Sequence, residues 1–138
     1  MTSWRWLAEK LLLDTDGAAM VEFAISASVF MALVLGIFEF GFASWAKNSV
    51  VTDAREGARY AMVHSSLSGR VADSASVANY VKSKTSLDSS IVVKTIWPDG
   101  TKEPGDRVTV QVRHAVPRRG PFLRAHTDSS AATMVIVY

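Results

Sequence analysis

The first half of the chain contains one long apolar segment. No charged residue occurs from Phe23 to Phe38, about 16 residues, which as a helix would extend roughly 24 Å at 1.5 Å per residue. Continuing through Glu39 to Ala46 makes the segment long enough to cross a hydrocarbon core of about 30 Å. A chain of 138 residues has no core large enough to hide a helix that is apolar on every face. The pattern therefore predicts a transmembrane helix over residues 18–46.

The helix is predicted to continue beyond the membrane, because apolar residues then recur at three- and four-residue steps. Gly57 lies on this stretch, where a glycine is less favourable than alanine by about 1 kcal/mol. It either lets another backbone approach closely or is simply a tolerated small residue. Asp53 is expected on a polar face, and the polar run from His64 to Gly69 ends the helix. The apolar stripe consists of Lys47, Val50, Val51, Ala54, Ala58, Ala61 and Met62.

The second half predicts one more helix and then three strands. The helix is expected from about Val71 to Lys84, and Ala75, Ala78 and Val81 share its apolar face. After it the apolar period changes to two, which is typical of half-buried strands. The three strand segments are 91–97, 108–116 and 131–138, and the turns after the first are Pro98-Asp99-Gly100 and Pro104-Gly105-Asp106.

These elements predict an α+β fold. A long N-terminal transmembrane helix extends into a small domain that holds the second helix and a three-stranded antiparallel meander. One face of the sheet is expected to pack on both helices. The limits that follow are a segment over 1–17 before the apolar helix, the membrane helix over 18–46 and a domain beyond the membrane over 47–138; with cleavage after Gly17 the first of these is a leader peptide.

A lone carboxylate stands at the start of the apolar segment, beside small residues. The order is Gly17-Ala18-Ala19-Met20-Val21-Glu22-Phe23. A carboxylate at the edge of a membrane segment is unfavourable by a few kcal/mol unless it is paired. Cleavage after Gly17 would create a positive partner, the free α-amino group of Ala18. The apolar segment is too long for a secretory signal peptide and has no small-residue cleavage site at its far end, so the anchor would stay on the mature protein.

Composition argues against several kinds of function. The net charge of +2 is too small to indicate a nucleic-acid partner, and the chain has no cysteine for a disulfide, thiol catalysis or a cysteine zinc site. His64, His114 and His126 are not at metal-ligand spacing, and no motif places a serine, a histidine and an aspartate together. We therefore expect neither an enzyme nor a cofactor.

A basic loop precedes the last strand. It joins Arg118, Arg119 and Arg124 to the nearby Arg113, with Phe122 and Leu123 at its centre. Such a loop contacts lipid headgroups or an acidic partner, or is simply solvated. The two apolar residues indicate that it folds back on the domain or touches a partner.

Three motifs follow one another along the first half. They are Gly17 with Glu22-Phe23, then Gly36-Ile37-Phe38-Glu39-Phe40-Gly41, and then Ala54-Arg55-Glu56-Gly57-Ala58-Arg59. Each alone would occur by chance. Together, around one membrane span near the N terminus, they resemble the TadE-like minor pseudopilins of the tight-adherence (Flp, type IVc) pilus system. The second half is compatible with this family but less diagnostic.

The resemblance implies a role in assembling an adhesive pilus. A prepilin peptidase would cut between Gly17 and Ala18. Glu22 would then occupy the fifth mature position, where it can neutralise a neighbouring subunit's α-amino group, and Phe23 is the aromatic residue expected beside it. The leader departs from the family because it holds only two basic residues, Arg5 and Lys10.

The resemblance also implies partners and a location. Contacts with other pilin-like subunits are expected at Glu22, Glu39, Arg55, Glu56, Gly57, Ala58 and Arg59. The further partners are the Tad assembly machinery and the lipid bilayer. The protein would be a single-pass protein of the bacterial inner membrane with its C-terminal domain in the periplasm, or associated with the pilus at the cell surface. For residues 55–59 the alternative is a solvated face of an amphipathic helix.

Two other functions remain open on the residues alone. One is a membrane-anchored sensor or binding domain that is never cut at Gly17. The other is a membrane-tethered hydrolase, against which the missing triad and metal spacing argue.

Overall fold

The computed structural model describes residues 15–64, 66–88, 90–118 and 120–137, with side chains from Gly17 onward. Most of the predicted leader, residues 1–17, lies outside the described part. The described residues form helix α1 over Thr15–Val63, helix α2 over Ser74–Lys84, and strands β1 over Ile91–Ile96, β2 over Arg107–Val116 and β3 over His126–Val135. The chain divides into two compact units, residues 1–38 and 39–138.

Helix α1 runs through 49 residues. It contains no proline, and its polar residues need not interrupt it because their side chains bond back to the helix. Ser28 Oγ donates to the Ala24 carbonyl at 2.7 Å, and Thr52 Oγ1 donates to the Asn48 carbonyl at 3.0 Å. The prediction of one long helix that extends past the apolar segment is confirmed.

Helix α2 begins three residues later than the pattern predicts, because Asp73 caps it. The Asp73 carboxylate accepts from the Ser76 N–H at 2.7 Å, and Ser76 Oγ accepts from the Asp73 N–H at 2.9 Å, which together form a capping box. The predicted apolar face is only partly right. Val77 and Val81 are the buried residues, whereas Ala75 is exposed.

The three strands form one antiparallel sheet in the order β1-β2-β3. This confirms the predicted meander and the α+β fold. The turns contain Gly100 and Gly105 at positive φ, 79° and 100°, as the two turn motifs predict. Strand β3 begins at His126 and ends at Val135, earlier at both ends than predicted, because its register follows the full length of β2.

The core lies in residues 39–138, where both helices pack on the inner face of the sheet. Strand β2 alternates strictly, and its inward residues Val108, Val110 and Val112 are fully buried. Helix α1 contributes mainly small residues, which bring its backbone close to the sheet. The buried cluster consists of Val50, Ala54, Ala58, Ala61, Ala72, Val77, Val81, Ile91, Val108, Val110, Val112 and Ile136.

Gly57 lies at the closest approach between helix α1 and this core. A Cβ atom at this position would lie 2.8 Å from Val81 Cγ2 and 2.9 Å from Val110 Cγ1. Both distances are well below van der Waals contact, and valine side chains have little rotamer freedom with which to yield. The missing side chain at Gly57 therefore lets helix α2 and strand β2 of the same domain pack closely against helix α1.

We predict that Gly57→Ala destabilises the domain. Overpacking at such a contact is unfavourable by about 1–3 kcal/mol, against a gain of about 1 kcal/mol in helix propensity. The expected net loss in the free energy of unfolding is therefore up to about 2 kcal/mol. Urea unfolding of the detergent-solubilised full chain, followed by near-UV circular dichroism, measures it.

Gly41→Ala is the matched control, since Gly41 lies in the same helix and an added Cβ meets nothing within 4 Å. It should cause no loss of stability. Equal stability of the two variants would show that the contacts of Gly57 do not limit the packing.

Candidate processing site and membrane anchor

The residues of the predicted processing site lie together at the start of helix α1. Gly17, Ala18, Glu22 and Phe23 are all exposed, and a Cβ atom added at Gly17 would meet nothing within 4 Å. Ala18 and Glu22 are four residues apart, so they lie on one face of the helix, one turn from each other. Cleavage after Gly17 would thus leave an amino group and a carboxylate on the same face. The cleavage itself stays a prediction.

The helix that follows carries large apolar side chains on its outside. Among the described residues, one helix, over 17–63, is long and apolar enough to cross a membrane. Its most apolar stretch of 18 residues has a mean hydropathy of 2.2 and contains no buried residue. Water is a poor solvent for such a surface, whereas lipid or neighbouring apolar helices cover it favourably. The helix fits a membrane anchor. Its exposed large residues up to Phe40 are Met20, Val21, Phe23, Ile25, Val29, Phe30, Met31, Leu33, Leu35, Ile37, Phe38 and Phe40.

Glu39 follows the apolar segment and belongs to the second compact unit. Its carboxylate oxygen Oε2 accepts from the backbone N–H of Leu123 at 2.8 Å and of Phe122 at 3.2 Å. A Cβ at Gly120 would overlap this carboxylate, so a larger residue there would displace the Glu39 side chain from its present position. The loop that the sequence predicts to fold back or touch a partner thus folds back on Glu39.

Residues 55–59 divide between two environments. Gly57 and Ala58 are buried in the core of the domain, while Arg55, Glu56 and Arg59 are exposed on the opposite side of helix α1. The predicted subunit contact stays a prediction. In this structure the side chains free to make it are the two arginines and the glutamate.

Asp53 is buried, although the sequence pattern puts it on a polar face. It is 8% exposed, and its Oδ2 accepts from Thr85 Oγ1 at 2.5 Å. Burial raises the pKa of the Asp53 carboxyl, and the Thr85 hydrogen bond opposes part of that rise. The sequence spacing does indicate burial of Asp53, because position 53 lies three residues after Val50 and four before Gly57 and so falls on the buried face of helix α1.

A second buried polar group is His114, on β2. It is 3% exposed, its Nε2 lies 3.2 Å from Asp88 Oδ1, and its Nδ1 has no hydrogen-bond partner among the described residues. Hydrogen bonds from Ser90 and a smaller contribution from His114 lower the pKa of Asp88. The two residues line a pocket of about 340 Å³ together with Phe42, Trp45, Ser86 and Leu87.

This pocket gives no obvious catalytic arrangement. Ser86 Oγ shares a hydrogen bond with Ser49 Oγ at 3.3 Å, while His114 Nε2 faces Asp88. In the part of the chain that the structure describes, no group of three or more histidine, aspartate or glutamate side chains is placed to hold a metal ion. That the protein is no enzyme stays a prediction.

Fold and site together define a protein with one N-terminal apolar helix and a small α+β domain built on its continuation. Residues 17–59 match the family model described as TadE-like protein. The match begins at Gly17 and includes all three motifs that suggested the resemblance, which is thereby confirmed over this segment. It associates the chain with Tad pilus systems. Neither a curated protein nor a solved structure matches the chain.

We predict that Asp53→Asn becomes increasingly stabilising, relative to the parent protein, as the pH rises from about 4 to 7. The folded pKa of Asp53 is raised above its unfolded value, so its contribution to stability is fully present below the unfolded pKa and is lost as the pH rises through the folded pKa. Asparagine keeps an acceptor for Thr85 but never ionises. Urea unfolding of both proteins across this pH range measures the difference.

Two variants of Thr85 serve as controls. Thr85→Val removes the hydroxyl that bonds the carboxylate and should lower stability at pH 7, whereas Thr85→Ser keeps a hydroxyl and should lose less. An Asp53→Asn protein that loses stability relative to the parent as the pH rises from about 4 to 7 would contradict the assignment of Asp53.

Proposed function

We propose that this protein is a minor pseudopilin that supports assembly of an adhesive Flp/Tad pilus. The observation that carries the proposal is the TadE-like match over residues 17–59, which starts at the predicted cleavage glycine and continues through the exposed apolar helix. A pilin-like subunit needs these parts in this order. They are a cleavable leader, a carboxylate near the new N terminus and a helix that packs in lipid and against other subunits.

The proposed mechanism begins with cleavage between Gly17 and Ala18 by a prepilin peptidase. The cut leaves a positive α-amino group on Ala18, one helical turn from the Glu22 carboxylate. In a bundle of such helices, Glu22 pairs with the α-amino group of a neighbouring subunit. Desolvation offsets much of the attraction in such a pair, so its main effect is to fix the register between subunits.

The domain then faces the periplasm, and the protein stays in the inner membrane or travels with the pilus. Lateral packing of apolar helices holds it among other pilin-like subunits and the Tad assembly machinery. The exposed charges of Arg55, Glu56 and Arg59 supply polar contacts on the helix beyond the membrane. This is a structural and interaction function without chemistry of its own.

The first test is the N-terminal mass of the full chain extracted from membranes, with and without the host's prepilin peptidase. We expect the protein to start at Ala18 only when the peptidase is present. A Gly17→Leu variant should keep its leader even when the peptidase is present. Open space surrounds Gly17, so this substitution changes recognition by the peptidase and not the fold.

Gly36→Leu is the matched control, since an added Cβ there also meets nothing within 4 Å. It should be processed like the parent protein. An intact N terminus in both hosts would overturn the processing step and favour a plain membrane-anchored sensor or binding domain.

A second prediction concerns Glu22. Glu22→Gln should leave processing intact but reduce copurification with other pilin-like subunits severalfold, because the amide cannot neutralise a buried α-amino group. Glu103→Gln, in an exposed turn of the domain, is the control and should copurify normally. Normal copurification of Glu22→Gln would remove the charge pair from the mechanism.

A further inference from the structure

The loop between β2 and β3 is held against the start of the second compact unit by one side chain. Glu39 Oε2 accepts from the backbone N–H groups of Phe122 and Leu123 at 3.2 and 2.8 Å, and Glu39 Oε1 lies 3.4 Å from the Phe122 nitrogen. The residues that hold or surround this contact, Gly120 to Arg124, are named here the 120–124 loop. Charge-assisted bonds of this kind are about twice as strong as neutral ones.

The 120–124 loop presents two apolar side chains to the outside. Phe122 is 54% exposed and Leu123 is 38% exposed, even though the backbone N–H groups of both are engaged. Turning the backbone inward and the side chains outward leaves a small apolar tip that the domain does not cover. Such a tip is unfavourable in water and favourable in the boundary layer of a bilayer.

Positive charge surrounds this tip. Arg124 follows Leu123 directly and is exposed, and Arg118 is exposed while its Nε donates to the Gly120 carbonyl at 3.2 Å. Arginine side chains beside an apolar tip match the layer of lipid phosphates that borders the hydrocarbon core.

Glu39, the residue that holds the loop, stands at the end of the uncharged segment. It is the first charged residue after the uncharged segment that ends at Phe38. Phe42 and Trp45, further along the same helix, stand 5.4 Å apart between ring centroids, and both are partly exposed. Aromatic residues are enriched at the membrane–water interface.

We infer that the 120–124 loop is a lipid-contacting element, in which Phe122 and Leu123 enter the boundary between headgroups and acyl chains. Arg124 of the loop and the neighbouring Arg118 bind lipid phosphates. Glu39 positions the loop at this depth. The two N–H groups also compensate the carboxylate, which would otherwise stand unpaired at the rim of the bilayer. The inference rests on the membrane anchoring in the proposed function and adds a second attachment of the domain to the same membrane.

The test uses the absence of cysteine from the chain, which gives a clean background for single spin labels. The full chain is reconstituted in vesicles of phosphatidylethanolamine and phosphatidylglycerol, with a label at Phe122→Cys. Collisions with oxygen, which concentrates in lipid, and with a water-soluble nickel complex report its depth. We expect the ratio of oxygen to nickel collisions at position 122 to exceed severalfold that of a label at Leu67→Cys.

Leu67 is a suitable reference because it is also an exposed apolar loop residue, 74% accessible. It follows the end of helix α1 at Val63, which is roughly 36 Å along the helix from Glu39 at 1.5 Å per residue. A label at Val29→Cys, inside the apolar segment, reports whether the anchor itself is in the bilayer. Lipid exposure at 29 with water exposure at 122 would overturn the loop inference alone, whereas water exposure at both would overturn the anchoring as well.

Two further arms identify the contact. Glu39→Ala, which removes both acceptors, should increase the mobility of the label at 122 and lower its collision ratio towards that of position 67, and Glu39→Gln, which keeps one acceptor, should do so less. Diluting the protein tenfold in lipid should leave the ratio at 122 unchanged. A ratio that falls on dilution would show that a second protein copy covers the loop and would overturn the lipid assignment.

Discussion

The structure depends on a helix whose large apolar side chains up to Phe40 are exposed among the described residues. Each buried square ångström of apolar surface contributes about 25 cal/mol when it leaves water, and helix α1 exposes such surface on every side up to Phe40. The helix satisfies its own backbone hydrogen bonds, so it is one of the few structures that lipid tolerates. Lipid or neighbouring apolar helices would cover this exposed surface favourably.

The second half of the same helix packs against the small domain. In residues 39–138 helix α1 becomes one wall of a small core, and its inner face changes to alanine and glycine. These small residues let Val81 and Val110 approach closely, which gives a small domain a dense core. The outer face keeps Arg55, Glu56 and Arg59 in solvent. One helix thus stabilises the domain on one side and keeps charged groups in solvent on the other.

Two carboxylates, Glu22 and Glu39, border the uncharged segment, and they differ in the groups that compensate their charge. Glu39 is compensated inside the domain by the backbone of the 120–124 loop, so its partner is fixed by folding. Glu22 is exposed at the other end, one turn from Ala18. In the proposed function its partner is created by proteolysis and belongs to another subunit. An internal partner gives a permanent position, whereas an external one makes pairing depend on processing and assembly.

The sequence by itself determined the parts of this protein that depend on local periodicity. The uncharged segment determined helix α1, alternating valines determined β2, and short connections with Pro and Gly determined the antiparallel order. The three motifs of the first half were enough to suggest the TadE-like family, which the match over residues 17–59 supports.

The tertiary structure decided which residues meet across long stretches of chain. Asp53 bonds Thr85 across 32 residues, and Glu39 bonds Phe122 across 83. The buried face of α2 likewise follows from packing, since Val77 and Val81 face the sheet and Ala75 does not. A periodic pattern shows that a residue can be buried but not what lies against it, because such contacts depend on where separate elements pack and not on spacing within one element.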